Sequence, residues 1–411
     1  MKSIKELFLI VLLALLIRIP WMFLVPYVEA PDENTHFWVI QFIANNFRLP
    51  DYHAVISVGP EAVYGSIPQL GYLPHILFLK AIGSFIAANK WLYAARLGSI
   101  AMGLIVVVVA YYIGQLLFAP NRIAALALPL MVTFHPQFVF VNSYINNDVT
   151  TAALSSVILL LLINVLKTGL NRANMVCLSI CCSWLMLSKY SGYCVLATTF
   201  LILLLVIYLH RSKLKEQFIL LACMALIILF LTSWWFVRNY FQFGGDITGV
   251  KTMHNIWTLT YHRYLQNFAS PIGVVFSSRF WRMLFFSFWG WFGYMTRNLP
   301  RLIYYGYLAF VILACLCFAR RGLKYRTNWQ WLVLIICFAI NLAVCIYGTY
   351  TGVAGPQGRY LFPSEIPIMA MLIAGLNSAS TKWSKYLLVS LIAFNVFVYF
   401  YSSFYLFKLY S

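Results

Sequence analysis

The sequence predicts an all-α polytopic membrane protein, organised as a single membrane domain over residues 1–411, and three observations predict it. Of the 411 residues, 63% are hydrophobic and only 9% are charged, against about 25% charged in an ordinary soluble domain. Apolar runs of the length needed to cross a bilayer, roughly 17 to 25 residues, recur from one end to the other. Alternate short connections between the runs are basic, as the positive-inside rule requires of cytoplasmic loops.

The first run, 7–25, has a basic start at Lys2 and Lys5 and a long apolar core without a small-residue cleavage site, so it reads as a span and not as a removed leader. Further runs lie at 91–118, 123–141, 149–166, 174–190, 192–209, 217–237, 301–319, 329–350, 360–378 and 385–405, giving about eleven transmembrane helices. The basic connections are Asn121-Arg122, Lys167 to Arg172, His210 to Lys215, Arg320 to Arg326 and Lys382 to Lys385. They fall on one side only if Ile67 to Ala88 does not cross. That segment is broken by Pro68, Gly71, Pro74 and Gly83 and carries Lys80, so it is expected to be interfacial or re-entrant. The extracytoplasmic parts are then 26–90, 142–148, a large loop at 238–300, and 351–359.

Composition also excludes several classes. The formal net charge of +19 serves topology and anionic lipid here, and nucleic acid is not expected as a partner. Eight of the nine cysteines lie inside apolar runs and Cys194 starts one, which argues against a disulfide framework. The histidines show no metal-ligand spacing, and there is no P-loop, dinucleotide fingerprint or serine-hydrolase elbow.

The ten acidic residues are more informative. Glu6 and Glu216 are placed on the cytoplasmic side; Glu29, Asp32, Glu33, Asp51, Glu61, Asp148, Asp246 and Glu365 fall outside or at the outer membrane edge. Charges at membrane depth are costly unless paired, which marks these residues as candidates for function. Pro31-Asp32-Glu33-Asn34-Thr35-His36 opens a short amphipathic helix with an apolar stripe of Val39, Ile40, Ile43, Ala44 and Phe47. Asp32 is expected at its N-cap, with His36 one turn later. A carboxylate held there suits a general base on a hydroxyl, or a divalent cation against a phosphate; it equally suits a plain helix cap. Asn147-Asp148 reads as a second outer cap. Arg96, Arg238 and Arg359 could jointly grip a phosphate, the last beside Gly355, Pro356, Gln357 and Gly358. Arg18 lies inside the first span and is expected to face a cavity or an acid, and Glu365 is expected to pair with one of the arginines. The large loop adds Lys251, Arg263, Arg279, Arg282 and Arg297 among many aromatics.

The order of an early outer Asp-Glu, an interfacial helix, a broken apolar segment and an Arg-bearing span resembles the GT-C superfamily of membrane glycosyltransferases. More closely, the chain is similar to an uncharacterised bacterial branch of it, through Pro31-Asp32-Glu33 with His36-Phe37, His135-Pro136-Gln137-Phe138, Asn147-Asp148, Trp289-Gly290 with Phe292-Gly293, and Gln357-Gly358-Arg359-Tyr360. Arg238-Asn239 with Gly245-Asp246 matches less well, because Gly244 is extra and Ile247 replaces a proline.

The resemblance implies a GT-C-like fold with a catalytic module over 1–237, the outer loop 238–300 and C-terminal helices over 301–411. It implies an inverting hexosyl- or pentosyltransferase in the bacterial inner membrane, acting outside, with a polyprenyl-phosphate sugar as donor and a glycan, lipid or protein as acceptor. Asp32, Glu33 and Asp148 would be catalytic. His36, Arg96, Asn147, Arg238, Asp246, Gln357, Arg359, Tyr360 and Glu365 would bind substrate. A Mg or Mn cation is left open, since family members differ. An O-antigen polymerase or ligase, which does not need the Asp32-Glu33 pair, and a lipid-linked oligosaccharide flippase remain as alternatives.

Overall fold

The structure, a computed structural model, describes residues 2–27, 29–119, 121–261, 268, 270–321, 329–352 and 355–410. The chain is a bundle of helices in this order: α1 Lys2–Leu24, α2 Glu33–Asn46, α3 Tyr52–Val58, α4 Leu73–Gly83, α5 Trp91–Phe118, α6 Arg122–Phe134, α7 Pro136–Asn142, α8 Asp148–Thr168 and α9 Arg172–Met186. There follow α10 Tyr193–Leu209, α11 Leu214–Gln242, α12 Val250–Tyr261, α13 Pro271–Val275, α14 Ser278–Gly290, α15 Arg301–Arg321, α16 Gln330–Thr351, α17 Glu365–Asn377 and α18 Thr381–Tyr410. A two-residue hairpin, Trp291–Phe292 with Arg297–Asn298, is the only sheet among the described residues.

Among the described residues nine helices are long and apolar enough to cross a bilayer, and α6 with α7 makes a tenth bent by 53°. The eleventh expected span is α9, only 15 residues long. Its ends nevertheless join the two ends of the bundle. At one end the Leu170 amide and carbonyl hydrogen-bond the side chain of Gln217, near the start of α11; at the other, Lys189 reaches Asp148 at the start of α8. The same logic sorts the rest. Glu6 pairs with Arg122 and Asn121 bonds Asn377 at one end, while Glu29 meets Arg297 and Tyr410 at the other.

The segment expected not to cross follows a 3-10 turn at Gly59–Gly65 and itself forms a second, Leu70–Tyr72, and then α4. With 11 residues, α4 is about 16 Å long, too short to span. It enters deep, where Gly98 of α5 lies against the His75 backbone, and climbs back until Trp91 donates to the Gly83 carbonyl. A Cβ at Gly98 would stand 2.6 Å from the His75 nitrogen, so glycine is what lets the two helices touch.

The bend between α6 and α7 settles the partner of Arg18. His135 turns to extended backbone and Pro136 has no N–H, so the carbonyls of Met131, Val132 and Thr133 lose their helical donors. Asn395 Nδ2 donates to Met131 at 3.1 Å, and Arg18 donates to Val132 and Thr133 at 3.3 and 3.4 Å. Arg18 also donates to Asn142 Oδ1 and lies over the Phe138 ring. Its partners are therefore freed backbone and an amide, not an acid.

Candidate active site

The helix α2 begins as expected, with Val39, Ile40 and Ala44 buried on its apolar side. Asp32 stands at its N-cap position, but the side chain makes no cap bond, and the backbone is left-handed at φ 59°. The carboxylate instead turns to Tyr64 Oη and Arg359 Nη2, both 3.3 Å from Oδ2, while the Asp32 amide donates to Tyr294 Oη. Aspartate tolerates the left-handed region better than most residues, at a cost of roughly 1 kcal/mol.

Glu33 takes the opposite path. It is fully buried and grips Arg96 with both oxygens, at 2.8 Å to Nε and 2.5 Å to Nη2. Oε1 also accepts the Ile145 amide, and the remaining Arg96 donors go to the carbonyls of Met22 and Val25. Four of the five Arg96 donors are thus engaged within the protein, and the pair welds α1, α2, α5 and the loop before α8.

Four further expected residues also serve other ends. Arg238 donates to Asn239 and to the Pro50 carbonyl, away from Asp32. Asp246 caps α12 through the amides of Gly249 and Thr252 and the Thr252 hydroxyl. Glu365 pairs with His135 at 2.8 Å and not with an arginine. Asn147 makes no side-chain cap; Asn146 does, accepting from the Val149 amide, while Asn147 Nδ2 reaches the Ser188 carbonyl. Arg263 lies outside the described residues.

What remains together is a cluster at one end of the bundle. Asp148 Oδ1 meets Lys189 Nζ at 2.7 Å, while Oδ2 is buried without a partner. Lys189 stands in extended backbone after α9, where the Leu187 carbonyl accepts from the Leu70 amide and Gly71 packs on Ser188 and Asn147. Tyr360 lies beneath both cations, 5.7 Å from Lys189 and 5.5 Å from Arg359. Arg359 is within electrostatic range of both Asp32 and Asp148. His36 stacks on Tyr64 at 4.6 Å and hydrogen-bonds Tyr72 at 2.6 Å. Burial first, then Lys189 and Arg359, hold the His36 imidazole well below its usual range, so the ring is neutral. Burial together with Asp32 likewise pushes the Tyr64 phenol up.

The Gln357 turn owes its glycine to packing. The Gly358 amide donates to Ser287 Oγ, and a Cβ there would stand 2.1 Å from the Phe288 nitrogen. Residues 358–364 form a 3-10 turn against α14, and Asn341 Nδ2 holds the Tyr360 carbonyl. Lys189, Tyr64 and Tyr72 were not among the expected site residues; the one signal in the sequence was a lysine at membrane depth.

No group of three or more His, Cys, Asp or Glu suited to hold a metal occurs among the described residues, and both carboxylates of the cluster are already paired with cations.

None of the curated proteins matches the chain. Among solved structures it is similar to ArnT from Cupriavidus metallidurans bound to undecaprenyl phosphate, with a TM-score of 0.60 and 16% identity over 94% of this chain. The match takes in 63% of that protein, so the chain spans somewhat less than two thirds of its length. The apo structure of the same ArnT matches over 92% of this chain and 78% of its own, at 13% identity and a TM-score of 0.44. At that identity the likeness is one of fold: an all-α polytopic bundle shared with ArnT. The family model described as Predicted membrane protein (DUF2142) matches residues 61–372, and the chain belongs to that family.

Proposed function

We propose that this protein transfers a sugar from a polyprenyl-phosphate donor to a hydroxyl of a cell-envelope glycan, lipid or protein, on the extracytoplasmic side of the bacterial inner membrane. The observation that carries the reading is Asp32: a carboxylate in strained backbone, free of capping duty and paired with Arg359, whose neighbour Tyr360 also carries Lys189 over its ring. Strain of this kind persists where the surroundings enforce it, and functional sites are where it collects.

In this reading Arg359 exchanges Asp32 for a phosphate oxygen of the donor, and Lys189 supplies the second positive charge. The released Asp32 carboxylate takes the proton of the acceptor hydroxyl as its oxygen attacks the anomeric carbon. The bond from that carbon to the phosphate oxygen breaks, its electron pair leaves with the polyprenyl phosphate, and the anomeric configuration inverts. Asp148 Oδ2 accepts a substrate hydroxyl, and the packed His36, Tyr64 and Tyr72 rings back the site. The undecaprenyl phosphate bound by ArnT supports this choice of donor, and the phosphate would meet cations that the site already holds.

The test is Asp32→Asn, assayed for glycan transfer in membranes. Transfer should fall by about 10² to 10⁴-fold, the usual range for a general base, while the protein stays folded. Undiminished transfer sinks the assignment and favours a polymerase or ligase, which has no need of this carboxylate.

A further inference from the structure

The buried pair His135–Glu365 is a polar feature that the proposed mechanism leaves unused. Both side chains are fully buried. Nδ1 of His135 lies 2.8 Å from Glu365 Oε1, and Nε2 lies 2.7 Å from the Phe288 carbonyl. A carbonyl can only accept, so Nε2 carries a proton. One further proton lies between Nδ1 and the carboxyl, and the pair is neutral overall wherever it sits.

The contacts of this pair converge on one turn. Glu365 is the first residue of α17, directly after the 3-10 turn Gly358–Ser364 that carries Arg359. Phe288 belongs to α14, whose backbone abuts Gly358 and whose Ser287 accepts the Gly358 amide. His135 therefore grips the Arg359 turn at both ends: at its C-terminal end through Glu365, and at its N-terminal end through α14. The ring itself sits at the α6–α7 bend, which Pro136 and Arg18 fix.

Resting on the donor reading above, we propose that His135 is a positioning residue that sets Arg359 for the donor phosphate, through Glu365 on one side and Phe288 on the other. It touches neither donor nor acceptor. Its effect on donor binding passes through Arg359 alone, which separates this role from general support of the fold.

That dependence is the test. Full-length protein in nanodiscs is titrated with undecaprenyl phosphate. His135→Ala and Arg359→Ala should each weaken binding by roughly tenfold, the scale for loss of a buried charge-assisted hydrogen bond. The double variant should bind no more weakly than Arg359→Ala. Additive losses overturn the proposal. If His135→Ala does not fold, His135→Asn, which keeps a donor for Phe288, takes its place. In addition, Glu365→Gln, whose amide can still donate to Nδ1, should weaken binding less than Glu365→Ala. If the unaltered protein does not bind the lipid, the donor reading falls, and the position of residue 359 decides the inference instead. An Arg359→Cys thiol, read by peptide mass spectrometry after maleimide treatment, should be labelled several times faster beside His135→Ala; equal rates overturn it.

Discussion

Asp32 and Glu33 are neighbours in the chain and share little else. The left-handed backbone at Asp32 turns its carboxylate to Tyr64 and Arg359 at the edge of the cluster, where 19% of the side chain stays accessible. Glu33 faces inward and is wholly enclosed with Arg96. Substitution should separate the two. Glu33→Gln leaves a buried guanidinium short of its countercharge, at a cost of about 3 to 5 kcal/mol. It should show as loss of folded protein on size exclusion and a lower Tm, in contrast to the selective loss expected for Asp32→Asn. His75 gives a second prediction at this scale. Burial pushes its pKa down to about 3 from an ordinary 6.5. The folded state therefore stays unprotonated where the unfolded chain takes up a proton. Stability should be level above about pH 6.5 and fall as the pH drops toward 3, by roughly 2 kcal/mol at pH 5. Buried His36 acts in the same direction. Melting at pH 8 and pH 5 checks this, and His75→Asn should narrow the gap.

At the scale of elements, the sequence reported apolar length well and geometry poorly. Every expected span is helical, though 123–141 is broken at His135 and 360–378 starts in a 3-10 turn, because long apolar runs leave the backbone little choice in lipid. The re-entrant segment was readable from Pro68, Gly71, Pro74 and Gly83. Which side chains meet was not: Arg96, Arg238 and Arg359 look alike in sequence, yet only Arg359 is brought to Asp32, because contacts such as Gly358 on Phe288 join segments some 70 residues apart. Lys189 was hidden for the same reason, since its role depends on how α9 ends against the 66–72 segment. The two glycines of the Gln357 turn make a test at this level. Gly358→Ala drives a Cβ into the Phe288 backbone and should displace the turn, with loss of transfer and of thermal stability. Gly355→Ala, whose Cβ would meet nothing nearer than 3.8 Å, should be tolerated in both assays.

At the scale of the whole molecule, ion pairs and caps sort the helix ends into two sets, and the cluster lies with one of them. If that end is extracytoplasmic, an impermeant maleimide should label Ser57→Cys in intact cells and Ser212→Cys only after permeabilisation, both side chains being exposed. The reverse pattern would move the chemistry to the cytoplasm. The short helix α9 has a consequence of its own. Its 15 residues rise about 22 Å, against a hydrocarbon core of about 30 Å, and Val176 and Ile180 on its flank are exposed. Such a hydrophobic mismatch is relieved when the adjoining lipid thins. Thinning beside α9 draws the headgroup plane inward toward Lys189, and on the proposed donor reading that would shorten the way of a lipid phosphate to Lys189 and Arg359.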